Sequence, residues 1–188
     1  MSLTRILVIA LIAGGAWQYW HSHKSHAPAV AVAASMDREW QANGYRILPL
    51  QKFDFEARVL GTERYSMDRE ADLAQVDLAL GWGPMADPAV LAKVKISQSG
   101  RYYYWHVDEW PLPRREIEVN SANMHMIPAS ADVERALNSV KTGQHVRFSG
   151  YLVEARAPDG WRWVSSLTRE DTGAGACELV WVERIAAQ

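Results

Sequence analysis

Residues 131–167, ADVERALNSVKTGQHVRFSGYLVEARAPDGWRWVSSL, read as one helix followed by two strands, and that order decides the fold. Val133, Ala136, Leu137 and Val140 fall at i, i+3, i+4 and i+7, a single apolar stripe over residues 131–141. Ser130 supplies an N-cap, Asp132 suits the first turn, Lys141 the last, and Gly143 the position just past the end. After the helix the period changes from 3.6 to 2: Val146, Phe148, Gly150 and Leu152 share one side of a strand over 145–155. Pro158-Asp159-Gly160 makes the turn. Residues 161–167 return as its partner, with Trp161, Trp163 and Ser165 opposite Arg162, Val164 and Ser166. A last strand covers 178–185.

Upstream, the same reading gives short elements. Ser35 caps a short helix over 36–42, closed by Asn43-Gly44. Phe53, Phe55, Ala57 and Val59 alternate with charged residues, a half-buried strand. A polar, acid-rich loop follows over 62–77, then Leu78-Ala79-Leu80 and the loop Gly81-Trp82-Gly83-Pro84. Asp87-Pro88 starts a brief helix that gives way near Ile96. Ser99-Gly100 turns into the aromatic strand RYYYWHV at 101–107, which Trp110-Pro111-Leu112-Pro113 ends. Many short strands with one helix ahead of a long hairpin predict a β-rich α+β chain. Its expected form is a small OB-like β-barrel, which carries its helix between the third and fourth strands.

The first residues belong to a different solvent. Arg5 precedes the unbroken apolar run 6–16, and Trp17, Tyr19 and Trp20 follow where an aromatic belt sits. Residues 1–20 are expected to be one N-terminal transmembrane or signal helix. Residues 21–36, small and alanine-rich, read as a flexible linker, and 37–188 as a single domain outside the cytoplasm. The expected location is the inner membrane, single-pass, with the body in the periplasm, or export if the segment is cleaved. His21, His23 and His26 lie on that linker with no carboxylate or thiolate nearby, which makes a spacer rather than a metal site.

Composition narrows the rest. The chain has 188 residues, 48% of them apolar, and a net charge of −2. Both facts argue against disorder of the body and against broad binding to a polyanion. A single cysteine, Cys177, excludes an intrachain disulfide and a multi-cysteine zinc site. Asp171-Thr172-Gly173-Ala174 spells the D-T-G-A of aspartic proteases, but no second copy exists to share the proton and the flanks read as a turn. Asp68, Glu70, Asp72 and Asp77 lack EF-hand spacing and read as a solvated acidic loop. Arginine outnumbers lysine 15 to 5, and Arg114, Arg115 and Arg169 are expected to pair with carboxylates.

The aromatic run is the exception. A strand with rings at successive positions must send them to both faces, and one face is then available to a partner. Trp82, Arg101, Tyr103, Trp105 and Trp110 are the expected partner-binding residues, with core filling by the tryptophans as the plainer account. No catalytic residue, metal or cofactor is assigned. The function expected is a non-catalytic, membrane-tethered binding or assembly module for a protein or envelope glycan, with no nucleic-acid partner. The alternative is an envelope hydrolase using His125 or His145 with Cys177 or an acid from Asp68 to Asp77.

Four phrases add a resemblance: YSMDREADLAQVDLALGWGPM at 65–85, ISQSGRYYY at 96–104, NSANMHMIP at 120–128 and SSLTREDTGAGACELVWV at 165–182. Together they resemble a family of functionally uncharacterised bacterial exported proteins, over roughly residues 52–183. The resemblance implies an N-terminal hydrophobic segment and an extracytoplasmic body, and it brings no catalytic residues with it.

Overall fold

The computed structural model describes residues 38–168 and 176–188. The expected N-terminal helix, the linker and the D-T-G-A stretch lie outside the described residues. Among those described, no helix is long and apolar enough to cross a membrane.

The chain is β-rich with a few short helices. β1 (Trp40–Ala42) turns at once into β2 (Tyr45–Arg64), a twenty-residue strand. The short helix expected over 36–42 is thus corrected where it can be seen, since Trp40 pairs with Ile47 and Ala42 with Tyr45. Asn43 and Gly44 both take positive φ, 49° and 85°. That is the two-residue hairpin turn for which Asn-Gly is the strongest short signal, rather than a helix stop. β2 outruns the predicted strand because two register shifts, at Pro49/Gln51 and Val59/Gly61, interrupt its alternation.

β3 (Val76–Gly81) pairs with β2 and with β6 (Ser121–Pro128). β9 (Glu178–Ala187) lies parallel to β6 and antiparallel to β7 (His145–Arg156), which also carries the three-residue β8 (Arg162–Val164). From β7 the pairing returns to β2. β2 gives residues 46–58 to β7 and 58–64 to β3, successive lengths rather than two edges of one length. The sheet therefore curls round without closing side by side. Phe53, Phe55, Phe148, Leu78, Met124 and Val180 fill its inside.

Between β3 and β6 the chain makes an excursion. It leaves at Gly81 and returns at Ser121, which are register partners, and Trp82 N donates to Asn120 O (3.0 Å) across its base. It holds α1 (Pro88–Leu91), the hairpin β4 (Val94–Ser99) and β5 (Tyr102–Val107), and α2 (Arg114–Val119). Asp87 caps α1 as expected, its Oδ1 accepting from Ala89 N at 2.8 Å. α2 was not expected, because Pro111 and Pro113 read as an end rather than a beginning. The excursion packs on β2 and β3 through Leu60, Ala79, Met85, Val94 and Ile117.

α3 (Ala131–Ser139) lies between β6 and β7 as predicted, two residues shorter at its C-terminal end. Ser130 Oγ accepts from Val133 N (3.3 Å), and Val133, Leu137 and Val140 face the core.

Candidate functional site

β5 carries rings at four successive positions, and the pleat divides them. Tyr103, Trp105 and Val107 turn toward the apolar cluster under the excursion. Tyr102 and Tyr104 turn to solvent and stay 43% and 54% exposed. One face of β5 stays accessible, and the rings that stand on it are Tyr102 and Tyr104. Tyr103 and Trp105 are the half-buried side, and the sequence reading missed Tyr102 and Tyr104. Within the run only His106 marks the exposed parity, too weak a signal beside four rings to fix it. Only the neighbouring strand β4 does so, pairing Ile96 with Trp105 and Gln98 with Tyr103.

Alongside β5 opens a cleft of about 880 Å3. The whole of β5 lines one wall, with Trp82 and Trp110, while Ser121 to Asn123 and Cys177 line the other. Four of the five expected residues, Trp82, Tyr103, Trp105 and Trp110, thus meet in one place. Their roles differ. Trp82 is core, edge-on to Phe55 at 5.1 Å and only 7% exposed. Tyr103 anchors β5 to the body: its hydroxyl lies 2.9 Å from Ser121 Oγ, and burial pushes its pKa up. Trp110 is 57% exposed and meets Trp105 edge-on at 5.9 Å. Arg114 stands 5.9 Å from the Trp105 ring centre and donates from Nε to Glu118 Oε1 at 2.7 Å.

Arg101 is the fifth, and it is not on the cleft. Its guanidinium turns inward from the β4–β5 turn. Nε and Nη2 bond the two oxygens of Asp68 at 2.9 and 2.6 Å, and Nη1 bonds Asp77 Oδ1 at 3.0 Å and Ala74 O at 2.8 Å. The Tyr65 ring lies 3.9 Å from the guanidinium carbon. Burial works against the charge, but the hydrogen bond to Asp68 and the nearby carboxylates hold the Arg101 pKa above its usual value. The same hydrogen bond, followed by the cation's field, holds Asp68 below the ordinary carboxylate range. Arg101 is therefore a latch between hairpin and body rather than a partner contact.

Asp77 belongs to this latch. It was expected in a solvated loop, yet it lies on β3, wholly buried. Asn123 Nδ2 donates to its Oδ2 at 3.2 Å, and Gln98 Nε2 donates to Asn123 Oδ1 at 2.8 Å. His125 Nδ1 approaches Asp77 Oδ1 at 2.9 Å, an ion-pair distance without hydrogen-bond alignment. The His125 ring packs on Trp163 at 4.8 Å.

Of the hydrolase residues, His125 and Asp77 do meet, but both are buried and off the cleft, and neither histidine shares the cleft with Cys177. Cys177, just ahead of β9, is half-buried on the cleft wall. Neither His125 nor His145 lines that cleft; His125 is 4% exposed, and His145 is exposed at the start of β7. Among the described residues, no group of three histidine, cysteine or carboxylate side chains is placed to hold a metal ion. Arg114 and Arg115 pair with Glu118, as the arginine surplus predicts, and Arg169 lies outside the described residues. No family model, no curated protein and no solved structure matches this chain.

Proposed function

We propose that the protein is a non-catalytic, membrane-tethered binding module, held outside the cytoplasm by its first twenty residues, whose partner seats in the cleft beside β5. The single observation that carries the reading is the convergence of Trp105, Trp110, Tyr102, Tyr104 and Arg114 on one open, aromatic-rich cleft. Large rings lose few rotamers on contact, and tryptophan, tyrosine and arginine dominate binding hot spots. The body of the fold reads as an OB-like barrel, partly open. This view is supported by the strand order β2-β3-β6-β9-β7, the parallel β6–β9 pair and α3 ahead of β7. In that frame the excursion is a large insertion between the second and third barrel strands, and it supplies the site.

The test is capture. Full-length protein in detergent should retain a protein or envelope-glycan partner from a membrane extract, and the Tyr104→Ala/Trp110→Ala variant should lose it. Retention by that variant removes the cleft from the proposal. A periplasm-active reporter joined after Gln188 tests the topology, and an inactive fusion with an active cytoplasmic counterpart would reverse it.

A further inference from the structure

We propose that the partner enters this cleft as an extended polypeptide segment, adding a third strand to the edge of β5 that no described strand pairs. The inference rests on the binding reading above and narrows it to one chemical class.

The hairpin turn fixes which main-chain groups face the cleft. Gly100 and Arg101 both have positive φ, 57° and 71°, so the turn is a two-residue one of the primed type. Such a turn is closed by a hydrogen-bonded pair, here Ser99 with Tyr102. Hydrogen-bonded and non-hydrogen-bonded pairs alternate along an antiparallel ladder. Tyr103, Trp105 and Val107, opposite Gln98, Ile96 and Val94, therefore hold the non-hydrogen-bonded positions. Their N–H and C=O groups point away from β4. β5 pairs with no other strand among the described residues, and no described residue bonds the main chain of those three. On the opposite wall β9 joins β6 only from Met124 on, and the Ser121 carbonyl accepts from the Tyr103 hydroxyl at 3.2 Å.

This row selects the occupant. Donors and acceptors recur every second residue, roughly 7 Å apart, which is the repeat of another strand. A sugar stacks on rings but offers no such repeat. Natural sheets blunt a free edge with lysine, proline, a bulge or a covering loop. Residues 102–107 contain no lysine, proline or glycine, and Tyr102 and Tyr104 stand exposed beside the edge. In strand addition the main chain gives affinity while flanking pockets read alternate side chains. Trp105 with Trp110 on one side, and Tyr102 with Tyr104 on the other, are placed for that reading.

The experiment uses the full chain in detergent and a pool of synthetic linear ten-residue peptides, from which binders sensitive to Trp110→Ala are selected. One binder is remade with N-methyl groups at its odd residues, and again at its even residues. Strand addition predicts that one series binds at least about tenfold more weakly and the other nearly as before, because only one parity faces β5. It also predicts slower amide exchange at Trp105 and Val107 on binding, with Tyr104, already in the ladder, unchanged. Equal effects of the two series, or no slowing at Trp105 and Val107, overturn strand addition while the cleft remains a binding site. Soluble peptidoglycan fragments that bind with Trp110 dependence, where no peptide does, overturn it in the same way. Failure of both peptides and glycans to bind overturns this inference together with the reading beneath it.

Discussion

Replacing Arg101 with methionine removes the charge that joins the excursion to the body while keeping most of the chain length. Asp77 is left wholly buried with Asn123 and the poorly aligned His125 as its neighbours, and Asp68 loses both of its guanidinium bonds. Breaking one partner out of a buried ion pair typically costs about 3–5 kcal/mol, because the remaining charge stays dehydrated. Arg101 also holds a positive φ of 71°, where a side chain costs about 1–2 kcal/mol that glycine does not. Arg101→Gly should therefore be less damaging than Arg101→Met by about 1 kcal/mol, although it removes more atoms. Asp77→Asn leaves Arg101 its two bonds to Asp68, so it should cost less than Arg101→Met, and the double variant Arg101→Met/Asp77→Asn should recover about 1–3 kcal/mol of the summed losses. Urea unfolding followed by tryptophan fluorescence measures all four. Arg101→Met within about 0.5 kcal/mol of the parent, or strictly additive losses, would refute the latch.

Other consequences are as direct. A Cβ at Gly150 would sit 1.8 Å from Trp181 O, where β7 and β9 approach, so Gly150→Ala should prevent soluble expression. Gly160→Ala is the control: its φ is 91° with open space around it, and a loss of about 1 kcal/mol in urea unfolding is expected. The bonds from Arg156 and then Arg162 lower the Glu154 pKa to about 2. A lowered acid stabilises the fold above its unfolded value, near 4.3, and the gain disappears as pH falls toward 2. Glu154→Gln should thus cost about 1 kcal/mol at pH 7, kept small by the exposure of both arginines, and almost nothing at pH 2. Asp68 behaves with the same sign: Asp68→Asn should lower the melting temperature at pH 7, and that effect should shrink as pH falls through and below the ordinary carboxylate range. Asp87→Ala should cost about 1 kcal/mol through the lost α1 cap.

Much of the β-rich frame was legible because it rests on periodicity. The stripe from Val133 to Val140 and the alternation from Val146 to Leu152 each answer to one buried face, so composition and position say the same thing. Reading failed where two local signals competed. Asn43-Gly44 terminates helices and also makes hairpins, and only the pairing of Trp40 with Ile47 distinguishes them. Asp77 looked solvated because its sequence neighbours are acidic, whereas its partners Arg101, Asn123 and His125 come from β5's turn and from β6. Such distant pairing has no signature in a single chain of residues. The candidate cleft was signalled by composition, through an aromatic run too dense for one face, but parity along that run was not.

Arg101 connects that lost parity to the site. A primed two-residue turn is cheapest with glycine at both centres, and here the second centre is arginine. The strain makes sense only through what the side chain reaches: Asp68, which caps a short 3-10 turn at Arg69–Asp72, Asp77 on β3, and the Tyr65 ring just past β2. Pinning the turn sets the roll of β5 about its own axis. With Tyr103 held at Ser121, the odd residues must face inward and Tyr102 and Tyr104 must face out. Sliding β5 by one residue would exchange the two sets and bury the exposed tyrosines. The latch and the cleft are therefore one device. Loosening Arg101 should weaken partner binding at protein concentrations where the rest of the fold is intact, and binding that survives Arg101→Gly unchanged would separate them.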